Sequence, residues 1–335
     1  MRIVFAGTPS VAVPSLALLI EEGFCPELVI TRPDAPVGRK RLMQPSDVGA
    51  FSLEHSLPLL RTKRIDGGLN AEHPEFDFSD FDLGIVVAYG GLIREPILSA
   101  PKYGWINLHF SSLPAYRGAA PVQRAILNGD TTTALSVFRL VAELDAGDIL
   151  LEVPAAILPY ETSDQALERL ASMGSEVLLN AVQQIAAGTA IFSPQQGETS
   201  FAPKFAREDG FLDWSEASES IFNRYRAVST EPGAVAEIAG IQLKVHELRT
   251  VAAENSSETA GQQSNTEPRT AKDETLAALA PGEVSLVQKK LYIGTGTQAL
   301  ELVRVQPIAK NIMSAPDWWR GHISQHKQNQ DGSHD

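Results

Sequence analysis

Along the first third of the chain, short continuous apolar runs alternate with longer stretches in which apolar residues recur at helical spacing. "RIVFAG" at 2–7 is a β-branched and aromatic run ending in Gly7, as a buried strand does when it enters a turn. "SVAVPSLALLIEEG" at 10–23 has helical spacing and stops at Gly23, and "PELVIT" at 26–31 predicts the next strand. "DLGIVVAYG" at 82–90 reads as a strand covered on both faces, and "GWINLHFS" at 104–111 as the next strand. This alternation predicts an α/β fold: a Rossmann-like open parallel sheet whose ligands lie beyond the carboxyl ends of the strands.

"PVQRAILNG" at 121–129 predicts a short helix with proline at its first position, and "ALSVFRLVAELDAGDILL" at 134–151 predicts two strands around an acidic, glycine-containing turn. A long helix is predicted from Thr162, whose T-x-x-Q pattern with Gln165 is a capping box, to Gly188. Its apolar stripe is Leu167, Leu170, Met173, Val177, Leu178, Val182 and Ile185.

After about residue 204 the pattern turns to short strands. "GAVAEIAGIQLKVHEL" at 233–248 predicts a hairpin turning at Ala239-Gly240, and "EVSLVQKKLYIGTGTQALELVRV" at 283–305 predicts two or three strands more. The chain therefore divides into an α/β domain at 1–203 and a small all-β domain at 204–322. An insertion at about 252–278, rich in Ser, Thr, Glu, Gln and Asn, and the tail 323–335 are predicted to be disordered.

With 335 residues, 43% of them hydrophobic, the chain can bury two cores. The opening segment lacks the apolar core of a signal peptide, and no apolar run approaches the ~18 residues of a membrane span, which predicts a cytoplasmic protein without a membrane partner. One cysteine, Cys25, excludes an internal disulfide or a multi-cysteine zinc site. A net charge of −13 confines any nucleic-acid contact to local basic patches. Two such patches stand out. Arg32, Arg39, Lys40 and Arg41 lie in a Pro/Gly-rich loop that "RTKR" at 61–64 can extend; the second patch is Lys289, Lys290, Arg304, Lys310, Arg320 and Lys327 in the β domain. The loop reads either as a phosphate-contacting arm or as a solvated surface segment.

The candidate chemistry lies in "NLHFSSLPAYRGAAPVQR" at 107–124. Alternate side chains of a strand share a face, so Asn107 and His109 are neighbours, opposite Ile106, Leu108 and Phe110. They read either as polar groups satisfied inside the core or as a site in the ligand crevice. As a site they suit acyl transfer: an amide donor for a forming oxyanion and an imidazole to move the proton of an attacking amine. "ELDAGD" offers Glu143, Asp145 and Asp148 to support that imidazole, with Asp145 favoured by its place in the turn. No serine or cysteine nucleophile is arranged nearby, and Cys25 reads as an inert thiol. The G-x-G-x-x-G dinucleotide fingerprint is absent, since the first turn is Gly7-Thr8-Pro9-Ser10.

At these residues the chain resembles the methionyl-tRNA formyltransferase family of 10-formyl-tetrahydrofolate-dependent enzymes. The resemblance rests on "FAGTP" at 5–9, "VVAYG" at 86–90, "NLHFSSLPAYRGAAPVQ", "LDAGD" at 144–148, "FAPKF" at 201–205, "LDWS" at 212–215 and "VQPIAKNIMSAPDW" at 305–318. It implies that Asn107 binds the formyl oxygen, that His109 assists proton transfer from the α-amino group, and that Asp145 orients His109. It implies 10-formyl-tetrahydrofolate as co-substrate, no metal, and folate contacts from Ser111, Ser112, Leu113, Pro114, Tyr89 and Gly90. Ser112 replaces a leucine of the family's Ser-Leu-Leu-Pro. Arg39, Lys40 and Arg41 match a tRNA-gripping loop, one residue shorter here, and the β domain matches an OB-like barrel that contacts tRNA. The implied activity is formylation of charged initiator methionyl-tRNA by a monomer that does not use DNA. Two other readings stay open: the same chemistry on a small amine such as a sugar nucleotide, or on water, and a non-catalytic RNA-binding protein.

Overall fold

In the computed structural model, which describes residues 1–38, 41–73, 75–229, 231–251 and 275–322, two compact units divide the chain at Lys204/Phe205, apart from Ile126–Gly129, which group with the second. The first unit is built on β1 (Ile3–Gly7), β2 (Leu28–Thr31), the hairpin β3 (Ala35–Val37) and β4 (Leu42–Gln44), β5 (Leu59–Arg61), β6 (Leu83–Val87), β7 (Trp105–His109), β8 (Thr132–Arg139) and β9 (Ile149–Ala156). Its helices are α1 (Val13–Glu21), α2 (Asp47–Glu54), α3 (Gly67–Glu72), α4 (Pro121–Asn128) and α5 (Ser163–Ala187). The main sheet runs β5-β2-β1-β6-β7-β8-β9. The β5, β2, β1, β6 and β7 pairings are parallel, whereas β8 pairs antiparallel with both β7 and β9. The expected parallel sheet is thus a parallel sheet with an antiparallel edge. The antiparallel pair β8/β9 leaves the acidic turn 140–148 between its ends.

From β1 the chain moves first towards β2 and β5 and then crosses to β6 on the other side, so the topological switch point lies between β1 and β6. The Thr8 hydroxyl, just past β1, donates to the carbonyl of Tyr89, just past β6, at 2.8 Å and ties the two strand ends together. Beside them β7 ends at His109. The fold therefore delivers the Asn-x-His strand to the crevice where such sheets bind ligands.

In this unit β5, α2, α3 and the β3–β4 hairpin escaped the sequence pattern; in the second unit so did a two-residue strand at Met313–Ser314 and a helix at Ser218–Ala227, so that the domain expected to be all-β carries a helix. β5 is three residues long, and α2 carries little apolar contrast; its start is set by Ser46, whose hydroxyl accepts from the Gly49 N–H at 3.0 Å. In α5 the capping box forms, with Gln165 accepting from the Thr162 N–H at 2.9 Å, and Gly188 ends the helix in the left-handed conformation. Its buried stripe is centred on small residues, among them Gly174, Ser175 and Ala181, because Gly174 meets Leu108 of β7 so closely that an added Cβ would lie 2.8 Å from it. Met173, expected in the stripe, falls at its margin and is 39% exposed.

The second unit holds α6 (Ser218–Ala227), β10 (Val235–Ile238), β11 (Ile241–Thr250), β12 (Val284–Val287), β13 (Lys290–Ile293), β14 (Leu300–Pro307) and β15 (Met313–Ser314). Its strands pair antiparallel in the order β10-β11-β14-β13-β12, with β15 added to β14, and curl as a half-barrel with β10 and β12 at its edges. The hairpin turns at Ala239 and Gly240, both at positive φ, as a two-residue turn between twisted strands demands. Leu212, Trp214, Ile221, Phe222, Leu243 and Leu302 are among the side chains that fill its core. Most of the expected insertion, 252–274, and the tail 323–335 lie outside the described residues.

Because Leu178 is fully buried and Met173 is not, Leu178→Ala should lower unfolding stability by about 2–5 kcal/mol and Met173→Ala by less than about 1 kcal/mol. Denaturant unfolding of the two variants checks this.

Candidate active site

The sheet register sets the site. Asn107 of β7 lies opposite Phe138 of β8, and His109 lies opposite Ser136, so these four side chains share one face while Leu108 turns to α5. Phe138 meets the imidazole edge-on, with ring centroids 6.2 Å apart. Asn107 is half-buried; its Oδ1 is buried without a hydrogen-bond partner among the described residues. An orphaned amide beside a histidine is a costly arrangement for a core and a useful one for a ligand with a polar head.

His109 is 5% exposed and its Nε2 lies 3.0 Å from the Tyr116 carbonyl oxygen. A carbonyl only accepts, so Nε2 carries the proton and Nδ1 keeps its lone pair. Burial pushes the imidazole below its ordinary value of 6.5, more than the negative charge of Asp145 and the bond to Tyr116 raise it. At neutral pH the ring is therefore an uncharged base, and a proton it gains is stabilised by Asp145.

Of the three acidic candidates, Glu143 and Asp148 are exposed, and Asp145 is the one whose charge acts on His109. No hydrogen bond joins Asp145 to the imidazole. Its Oδ2 instead accepts the backbone N–H of Gly118 at 2.8 Å. The sequence had no way to show the Tyr116 carbonyl and the Gly118 N–H, because both are backbone groups of a loop in special conformations: Tyr116 and Gly118 each have positive φ.

The loop after β7 is held from beneath. Ser111 is buried, donating to the Ala115 carbonyl at 2.6 Å and accepting from Ser136 through its own carbonyl at 2.6 Å; Leu113 and Pro114 are buried as well. Ser112 points outward, and its hydroxyl donates to Glu152 at 2.8 Å, a link no leucine could make. The segment 193–202, which showed no sequence pattern, straps this loop from outside. Arg117 N–H donates to the Ser200 carbonyl at 2.9 Å, Ala202 N–H to Arg117 at 2.7 Å, and Ser200 Oγ accepts from Tyr116 N–H at 2.9 Å.

Tyr89 is 1% exposed, and its hydroxyl donates to the Thr62 carbonyl at 2.8 Å while burial pushes its pKa up to about 12. Its side chain belongs to the core beside Trp105, so Tyr89 has only backbone to offer a ligand. Gly90, at positive φ, accepts from Arg32 at 2.9 Å. Arg41 sits exposed at the β3–β4 turn, whereas Arg39 and Lys40 lie outside the described residues. The proposed extension of this patch is largely neutralised: Arg61 pairs with Asp34 at 2.9 Å and Arg64 with Glu72 at 3.3 Å. In the second unit Lys290 pairs with Glu301 and Arg320 with Asp317, leaving Lys289, Arg304 and Lys310 exposed without an ion pair among the described residues; Lys327 lies outside them. Among the described residues no three His, Cys, Asp or Glu side chains converge to hold a metal, and no helix is long and apolar enough to cross a membrane.

Residues 1–182 match the formyl transferase family, and residues 204–323 match the formyl transferase C-terminal domain. The chain is 44% identical over 322 residues to the methionyl-tRNA formyltransferase of Leifsonia xyli subsp. xyli, covering 96% of this chain and 97% of that one. It is 41% identical over 321 residues to that of Clavibacter sepedonicus, with the same coverage. Among solved structures it resembles HypX from Aquifex aeolicus in complex with tetrahydrofolic acid, with a TM-score of 0.62 at 17% identity over 94% of this chain and 46% of that chain, a likeness of fold. With both domains matched and this identity over nearly its whole length, the chain belongs to the methionyl-tRNA formyltransferase family.

Proposed function

We propose that the protein transfers the formyl group of 10-formyl-tetrahydrofolate to the α-amino group of methionine on charged initiator tRNA. The observation that carries the chemistry is the juxtaposition of an unpartnered Asn107 amide and a buried, neutral His109 on one strand face. The acceptor rests on the relatives at 41–44% identity, all methionyl-tRNA formyltransferases by name.

The unpartnered Asn107 Oδ1 fits the N–H of an incoming amine, which leaves the amide N–H for the formyl oxygen, and the loop Ser111–Pro114, with the backbone of Tyr89 and Gly90, would hold the folate. When bound, 10-formyl-tetrahydrofolate supplies an activated formyl carbon. The Asn107 amide N–H donates to the oxygen on which negative charge develops. His109 accepts the proton of the attacking amine at Nδ1, with Nε2 anchored on Tyr116, and Asp145 supports the imidazolium until that proton passes to the folate nitrogen, whose bond to the formyl carbon breaks as tetrahydrofolate leaves. No metal is part of this scheme. Arg39, Lys40 and Arg41 would grip the tRNA, helped by the exposed cations of the second unit. We take the protein to act as a monomer in the cytoplasm, using neither DNA nor a membrane.

Purified protein should formylate methionyl-initiator tRNA and leave free methionine and a sugar-nucleotide amine untouched; transfer to a small amine, or hydrolysis without an acceptor, would keep the site and overturn the RNA reading. Asn107→Ala should lower kcat by about 10²–10³-fold and His109→Ala by about 10²–10⁴-fold. Because burial depresses its pKa, His109 should titrate below 6.5 by nitrogen-15 NMR. Asp145→Asn, which removes the charge that raises this pKa, should move that titration lower still while reducing kcat. A His109 that titrates above 6.5 in the wild type would contradict the assignment.

A further inference from the structure

The formyl-transfer reading, on which this inference rests, leaves open what holds Asp145 in place. Its charge acts on His109 across space, so its effect depends on where the turn 143–148 stands. That turn has no regular structure, and Asp145 itself is in the left-handed conformation. Gly147 lies so close to β8 that an added Cβ would come within 1.8 Å of the Arg139 carbonyl oxygen. The carboxylate accepts from Gly118 N–H, as described above.

The remaining attachment is Gln195. Its Nε2 donates to the carbonyl of Asp145 at 2.8 Å and to that of Gly147 at 2.9 Å. Its Oε1 accepts from Arg117 twice, from Nη2 at 2.7 Å and from Nε at 3.2 Å. Carbonyls only accept and a guanidinium only donates, so the orientation of the amide is determined by its partners. Arg117, buried, also reaches Glu143 through Nη1 at 3.2 Å, and it stands between Tyr116, which anchors the imidazole, and Gly118, which anchors the carboxylate. One side chain thus spans the loop that holds the base and the turn that holds its counter-charge. Only an amide of this length offers two donors to one and an acceptor to the other: glutamate has no donor, and asparagine is a methylene short. Each of these partners lies at least 48 residues away in sequence, so the glutamine does not serve its own segment.

We propose that Gln195 is a positioning residue for the reaction, clamping the Asp145 turn to the Arg117 loop so that the carboxylate stands at a fixed distance from His109. Among the described residues Asp145 is the charged group that acts on His109, and Arg117 and Glu143 are the charged groups nearest the clamp itself.

The test is Gln195→Met, equal in length and lacking the amide, assayed as the full chain with 10-formyl-tetrahydrofolate and methionyl-initiator tRNA. We expect kcat to fall about 10- to 100-fold, with the KM for tRNA within about threefold, because a small displacement of a supporting group is enough to produce such a loss. As the carboxylate recedes, the imidazolium loses support, so the His109 titration, read by nitrogen-15 NMR, should move to lower pH. In the Asp145→Asn background, Gln195→Met should cost less than about twofold more, since the two changes remove the same interaction. If Gln195→Met does not fold, as judged by thermal unfolding, Gln195→Asn supplies the same comparison. An unmoved His109 titration with losses that multiply in the double variant would overturn the proposal while leaving formyl transfer intact. Absence of transfer by the wild type would instead overturn the functional reading beneath it.

Discussion

A single hydrogen bond, from His109 Nε2 to the carbonyl of Tyr116, decides what the site can do. Burial makes the imidazole neutral, but neutrality alone does not say which nitrogen is free. An acceptor fixed at Nε2 keeps the proton there and leaves the lone pair of Nδ1 free, as the proposed base requires. The loop conformation at Tyr116, the strap 193–202 bonded to its backbone and the register of β7 on β8 all converge on holding that carbonyl where the ring can reach it.

The second requirement pulls against the first. A site dry enough to depress the imidazole pKa also resists the positive charge the ring must carry after it takes a proton. Asp145 answers this at a distance, through charge without a hydrogen bond, so it supports the imidazolium without reclaiming the proton. Held by backbone N–H, by the Gln195 amide and by the tight seat of Gly147, the turn resembles the rest of the loop region: irregular backbone stabilised by partners far off in sequence. The open sheet contributes rigidity and the switch point between β1 and β6; the chemistry sits on the strand and loops beside it.

Much of this was legible in the sequence. The β1–α1–β2 start, the two buried strands at 83–87 and 105–109, the capped helix α5 and the β10–β11 hairpin follow from periodicity and turn residues. The Asn107/His109 face follows from the two-residue period of a strand, and the choice of Asp145 over Glu143 and Asp148 follows from its turn. What escaped was short or made of backbone. β5 and α2 carry too little periodicity to read, Met173 was counted in a stripe whose centre is small residues, and the apolar run of β8 is the same whether the strand pairs parallel or antiparallel. The Tyr116 carbonyl, the Gly118 N–H and the partners of Gln195 have no side-chain signature at all, since any residue supplies a carbonyl and only the folded loop says where it points. The same holds for charge: "RTKR" reads as an extended basic patch until Asp34 and Glu72 are seen to pair with Arg61 and Arg64.

The most direct measurement is a nitrogen-15 NMR titration of the histidine side chains, with the His109 signal among the seven histidines assigned by comparison with His109→Gln. The account predicts a neutral ring protonated at Nε2, with Nδ1 free, titrating below the ordinary value of 6.5. A ring protonated at Nδ1 in its neutral form, or one that titrates at or above 6.5, would contradict it.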